Sequence, residues 1–321
     1  MSAAPVLVFG GPFALLQLSP WLAACLFERR APARTVATFH LLALLGLAAL
    51  PLTALSCLAL VTGGGLAAAP LGLLALYLLR VGWAAVRVTE ATRRLAAVSA
   101  LATAGPLHVP GGKDAIVLAG RPPLAYALGG RSGQVVMSQG LLGLLHDDER
   151  AAVVAHELAH LRLRHHRLLR FAEIARAALG QAAPAAQRAY TALARELEAI
   201  ADEAAARTVA DRRLVARALA KAALATPAAG PPLAFGDERD LAYRLDRLTT
   251  DRPPEERRMI AIGGVGLLAV GVMVLLSAGA EPPGRLATVG LRALCVGGVG
   301  WLCCRGVAPA EQAVNHTSAI R

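Results

Sequence analysis

Long apolar runs flank one long polar stretch in this chain. Five runs approach the ~20 consecutive apolar residues that a helix needs to cross a bilayer core: residues 3–27, 36–61, 66–86, 259–280 and 286–304. The first lacks a basic leader and is too long for a cleavable signal, so it reads as a retained span despite Pro5, Pro12 and Pro20. The last contains Arg292, but Gly290, Gly297, Gly298 and Gly300 suit close helix packing in lipid. Between the third and fourth runs the pattern changes. Residues 91–104 continue the third helix, and β-prone runs follow at 115–118, 125–128 and 134–138. Pro122-Pro123 and the turn-rich "GGRSG" separate them, which predicts a small sheet containing a hairpin. Residues 147–179 then read as one long helix with Asp147 as N-cap and acids in its first turn. Further helices are expected at 187–209, 211–225 and, after a Pro/Gly-rich loop, at 241–248.

Composition strengthens the membrane reading. Hydrophobic residues make up 56% of the 321 positions, aromatics only 4%, and the mean hydropathy is +0.52, which excludes an ordinary soluble protein. Arg29, Arg30 and Arg34 follow the first run, Arg87, Arg93 and Arg94 the third, and Arg305 the fifth, whereas the loop "TGGG" between the second and third has none. The positive-inside rule then puts the N-terminus outside and the polar stretch in the cytoplasm; Arg285 runs against it. A net charge of +11 without a dense basic run interleaved with aromatics argues against direct nucleic-acid binding, and attraction to anionic headgroups accounts for it. All five cysteines, Cys25, Cys57, Cys295, Cys303 and Cys304, fall in the apolar runs, so neither a disulfide framework nor a cysteine metal ligand is expected in the polar part. Thirty-one arginines against two lysines hint at a GC-rich bacterial genome.

The chemistry concentrates in "VVAHELAHLRLRHH", residues 153–166. His156 and His160 stand four apart, so a helix projects both from nearly the same face, about one 5.4 Å turn apart, able to grip one ion. Glu157 lies beside them, suited to act as general base on a metal-bound water. HExxH is the signature of zinc-dependent hydrolysis; the competing reading is a solvated His/Glu stripe on an Ala/Arg-rich helix. A catalytic zinc takes three protein ligands and leaves one position open. In "ELEAIAD" Glu198 and Asp202 are again four apart, so Glu198 can complete a His₂Glu site while Asp202 orients a ligand histidine. Glu196 and Glu203 nearby leave an exposed charged face as the alternative. His165 and His166 fall roughly 140° and 240° around a continuous helix from His160 and are expected to face away and not to bind.

With these residues in place, "VVMSQGLLGLLHDDERAAVVAHELAH" followed by "EAIAD" resembles the gluzincin membrane metallopeptidases. In these a β-strand precedes the HExxH helix and the third ligand lies in an ExxAD-type motif. Of two branches, the short bacterial relatives of the beta-lactam sensor antirepressor peptidases are more similar than the prenyl-protein and heat-shock membrane proteases. The resemblance runs over residues 115–250. It implies one catalytic Zn²⁺ on His156, His160 and Glu198, water activation by Glu157, and Asp202 behind the ligands. It also implies that Gln134, Val135, Val136, Met137 and Ser138 pair with an extended substrate by strand addition. "LAYRLDRL" resembles the stretch carrying a substrate-side arginine in the prenyl-protease branch, making Arg244 a candidate to stabilise the oxyanion. Glu238 stands where that branch has a histidine, so a structural salt bridge is an equal reading for Arg244, with Tyr243 and Tyr190 as alternative donors.

The expected fold is a mainly α membrane protein of about five spans with a minigluzincin-like α+β catalytic domain. Residues 1–90 hold three spans, 91–258 the cytoplasmic catalytic domain, 259–304 two spans and 305–321 a tail. The expected location is a bacterial inner membrane, multi-pass. The expected function is a zinc endopeptidase acting on cytosolic or membrane-proximal polypeptides, with a winged-helix repressor as one candidate substrate. Quality control of membrane proteins and a catalytically silent scaffold are the alternatives; the retained Glu157 argues against the scaffold.

Overall fold

The structure is a computed structural model, and it describes residues 17–25, 31–62, 64–107, 115–130, 133–225 and 238–250. The expected spans 259–280 and 286–304, the tail, and most of the span at 3–27 lie outside the described residues; positions 17–25 of that first span are helical (α1). Among the described residues the protein is mostly helical with one small mixed sheet.

The runs at 36–61 and 66–86 become α2, Ala33–Thr62, and α3, Ala68–Leu101. Both are long and apolar enough to cross a membrane. Their surroundings differ. Ala37, Leu44 and Leu47 of α2 pack on Ala186, Ala189, Leu193 and Leu197 of a later helix, α7 (Pro184–Val209), in a close-fitting core of small and aliphatic side chains. By contrast, Leu73, Leu76, Leu79, Trp83 and Val86 of α3 stand more than half exposed. Such a contiguous apolar surface is costly in water and is normal against lipid. The Tyr77 hydroxyl donates to the Ala48 carbonyl at 2.9 Å and ties the two helices together.

Four strands follow: β1 Thr103–Leu107, β2 Ala115–Leu118, β3 Ala125–Leu128 and β4 Gln134–Ser138, in the order β1-β2-β4-β3. β2 and β4 are parallel and the other pairs antiparallel. The expected hairpin is β3–β4. β1 was not legible, because Gly105 and Pro106 are poor strand formers; they are tolerated here because β1 is an edge. A short helix α4, Gln139–Leu144, starts at Ser138, whose Oγ accepts the N–H of Leu124 and of Leu141 and donates to the Pro122 carbonyl. Gly140 packs so tightly on the Arg121 carbonyl that a Cβ would collide with it.

The expected single helix over 147–179 is two, α5 (Asp147–Arg162) and α6 (His165–Leu179). Arg164 adopts a left-handed conformation, φ 56° and ψ 34°, between them. No Gly or Pro announces this break; the cost of order 1–2 kcal/mol for a non-glycine residue there is carried by tertiary packing. The N-cap of α5 is His146, not Asp147, and the Glu149 carboxylate accepts the His146 N–H at 3.0 Å. α7 begins at Pro184, three residues earlier than expected, with proline in the first turn where its missing N–H is harmless. Ala210, also left-handed, ends α7, and α8 (Arg212–Ala225) and α9 (Glu238–Thr249) complete the described chain. Ala152 and Ala155 of α5, Ala205 and Ala206 of α7, and Leu214, Val215 and Leu219 of α8 form the core that fixes α5 against α7.

Candidate metal centre

His156 and His160 project from α5, and Glu198 from α7, into one space. The two Nε2 atoms are 3.1 Å apart, His156 Nε2 lies 3.3 Å from Glu198 Oε2, and His160 Nε2 lies 3.4 Å from Glu198 Oε1. Ligand atoms held about 2.0–2.1 Å from a tetrahedral zinc stand about 3.3 Å from one another, so this triangle has the size of one face of such a tetrahedron. Among the described residues this is the one group of three such side chains able to hold an ion. A solvated stripe does not converge in this way. Glu196, offered as part of an exposed face, is fully buried instead and accepts the Tyr243 hydroxyl at 2.7 and 2.8 Å; Glu203 does lie at the surface, paired with Arg207 and Arg212.

Behind the triangle a second layer fixes ring orientation. Asp202 Oδ1 stands 2.9 Å from His156 Nδ1 and holds the proton on that nitrogen, leaving Nε2 for a ligand. Arg244 of α9 forks onto Asp202 through Nε and Nη2, both at 2.7 Å, and its Nη1 reaches Glu198 Oε2 at 3.2 Å. All three nitrogens therefore face carboxylates and the side chain is 6% exposed. The structure thus favours the salt-bridge reading of Arg244 over oxyanion stabilisation. Tyr243 is engaged with Glu196 and Arg247, and Tyr190 packs in the α2–α6–α7 core, so neither alternative donor reaches the triangle.

The charges follow from this packing. Burial alone would lower the His156 pKa, but Asp202 and Glu198 outweigh it and raise it to about 10 in the metal-free chain. Burial would raise Asp202, yet the Arg244 guanidinium brings it down to about 2. Glu198 is likewise held well below its ordinary value, against burial, by His160 and Arg244. Glu157 goes the other way: burial raises it in spite of the two histidines. A carboxylate so raised is a better proton acceptor than a solvated one.

Two expectations are corrected. His165 does not face away. The break at Arg164 turns its buried ring back so that Nδ1 lies 3.2 Å from His160 Nδ1, and burial with the neighbouring His160 lowers its pKa to about 3. It is not in the ligand triangle, but it touches a ligand; position counting on a continuous helix could not find it. His166 stays apart from the triangle and packs on Gly129, where a Cβ would meet its ring. The second correction concerns Gln134, Val135, Val136, Met137 and Ser138. β4 is interior, with β2 on one side and β3 on the other, so it has no free edge for a substrate. The edge beside α5 is β3. The Ser138 N–H donates to the Leu124 carbonyl, and by antiparallel alternation the N–H and C=O of Ala125 and Ala127 turn outward.

Comparison with curated proteins and with solved structures returned no match. The model of peptidase family M48 matches residues 88–265, more than half of the chain and a range that contains every residue of this centre. The chain belongs to peptidase family M48, a metallopeptidase family.

Proposed function

We propose that the protein is a membrane-associated zinc endopeptidase that cleaves cytosolic or membrane-proximal polypeptides. The observation that carries this is the His156–His160–Glu198 triangle with the buried Glu157 beside it. His156, His160 and Glu198 would hold the zinc, which supplies Lewis-acid polarisation of the scissile carbonyl when bound. Glu157 takes the proton of the attacking water and delivers it to the leaving amine. Asp202 and Arg244 keep the His156 ring and the Glu198 carboxylate aimed at one point. The edge of β3, unpaired among the described residues, offers Ala125 and Ala127 to an extended substrate backbone.

Two helices long and apolar enough to span, and the arginines that follow the runs at 3–27 and 66–86, support a multi-pass protein whose hydrolytic part faces the cytoplasm. The test compares wild type with Glu157→Gln. Purified wild type should carry one zinc per chain, and the variant should keep that zinc while hydrolysis falls by about 10²–10⁴. Absence of stoichiometric zinc, or unchanged proteolysis in the variant, would overturn the reading. Proteins that accumulate in cells carrying the variant identify the substrate: a winged-helix repressor marks regulation, misfolded membrane proteins mark quality control.

A further inference from the structure

We propose that the cavity between α2, α5 and α7 binds a phosphate group. Its volume is about 330 Å³, and Arg34, Arg162 and Arg207, from three different elements, line it. Arg34 lies in the first turn of α2, Arg162 in the last turn of α5 and Arg207 in the last turn of α7. Of these three arginines, only Arg207 has a carboxylate partner among the described residues. That partner, Glu203, stands 3.3 Å away in an exposed pair that solvent screens, and its other oxygen is held by Arg212 at 2.8 Å. All three arginines are solvent-exposed residues lining one cavity, where an entering anion can meet several guanidinium groups. A tetrahedral oxyanion satisfies several planar, multi-donor guanidinium groups at once.

Two features indicate where the phosphate comes from and what its binding does. Arg34 opens the candidate membrane helix Ala33–Ser56, so the cavity sits where the chain passes from polar to apolar surroundings. Phospholipid headgroups are concentrated at such a boundary, and anionic ones are drawn to arginine. Ala159 also lines the cavity and immediately precedes His160. An occupant therefore rests against the α5 turn that carries a ligand of the metal centre, and it joins α2 to α5 and α7. This inference does not depend on the hydrolytic reading, since binding is measured without turnover.

The test uses the full chain in uncharged detergent and follows thermal unfolding. Short-chain phosphatidylglycerol, short-chain phosphatidylcholine and inorganic phosphate are titrated separately, each against chloride at matched ionic strength to remove screening. Saturable stabilisation by phosphatidylglycerol, weakened about tenfold in Arg162→Gln and in Arg34→Gln, is the expected result. Arg170→Gln, on α6 outside the cavity, should bind as wild type. Arg162→Lys keeps the charge but loses the planar fork and should fall between, which also covers a glutamine variant that fails to fold. Saturation by inorganic phosphate with the same arginine dependence supports the site with free phosphate as its occupant. Stabilisation that does not saturate, or that survives all the cavity substitutions, overturns it.

Discussion

His165 places its Nδ1 3.2 Å from Nδ1 of His160, with the two rings edge to face and their centroids 4.8 Å apart. With a metal on Nε2 of His160, the ring's remaining proton would sit on Nδ1, placed to be donated to Nδ1 of His165. His156 has a carboxylate in the same position, so the two ligand histidines are oriented by partners of different charge. His165→Ala should weaken zinc binding by about 10–100-fold, measured by chelator competition. His165→Asn, which restores an acceptor, should recover much of that loss. Equal affinity in wild type and the alanine variant would reduce the contact to packing.

Arg244 and Asp202 form the buried pair that braces this centre, 5% and 2% exposed. Arg244→Met leaves Asp202 with His156 as its one remaining partner among the described residues and should cost about 3–5 kcal/mol in denaturant unfolding. The double variant with Asp202→Asn should lose less than the sum of the two single variants. If Arg244→Met instead lowered kcat alone, with stability and zinc affinity unchanged, the oxyanion role would return.

The sheet makes a prediction that separates edge from interior. Ala127→Pro removes an outward N–H from β3 without breaking a ladder bond, so the fold should survive while kcat/KM on peptide substrates falls about tenfold or more. Val136→Pro in interior β4 removes a ladder donor and should unfold the sheet. Thermal unfolding and peptide hydrolysis on both variants decide it; undiminished hydrolysis by Ala127→Pro would show that substrate does not use this edge.

Glu149 provides a pH signature away from the metal centre. Burial would raise its pKa from the ordinary 4.5, but Lys221, at 2.7 Å, and the His146 N–H outweigh burial and lower it. The folded chain therefore holds fewer protons than the unfolded one near pH 4.5. The stabilisation is full above that value and is lost as pH falls through the lowered folded-state pKa. Wild-type stability should drop more steeply than that of Glu149→Gln as pH falls below 4.5, and the variant should be about 1 kcal/mol less stable at neutral pH because it loses the charged bond to Lys221. Parallel curves for the two proteins would remove Glu149 from the acid transition.

The sequence by itself determined the elements whose signal is local. Apolar runs marked α2 and α3, β-prone runs between turn residues marked β2, β3 and β4, and two i, i+4 pairs marked His156, His160, Glu198 and Asp202, because helix periodicity alone puts each pair on one face. Only the tertiary structure decided the rest. Strand order, which buries β4 and frees β3, depends on pairing between distant segments and leaves no mark in local composition. The break at Arg164 has no glycine or proline to announce it and exists because packing repays a strained residue with a buried His165. Arg244 had two equal readings until α9 met α7. Residue spacing can say which side chains share a face, but which faces meet is settled by burial across the whole chain.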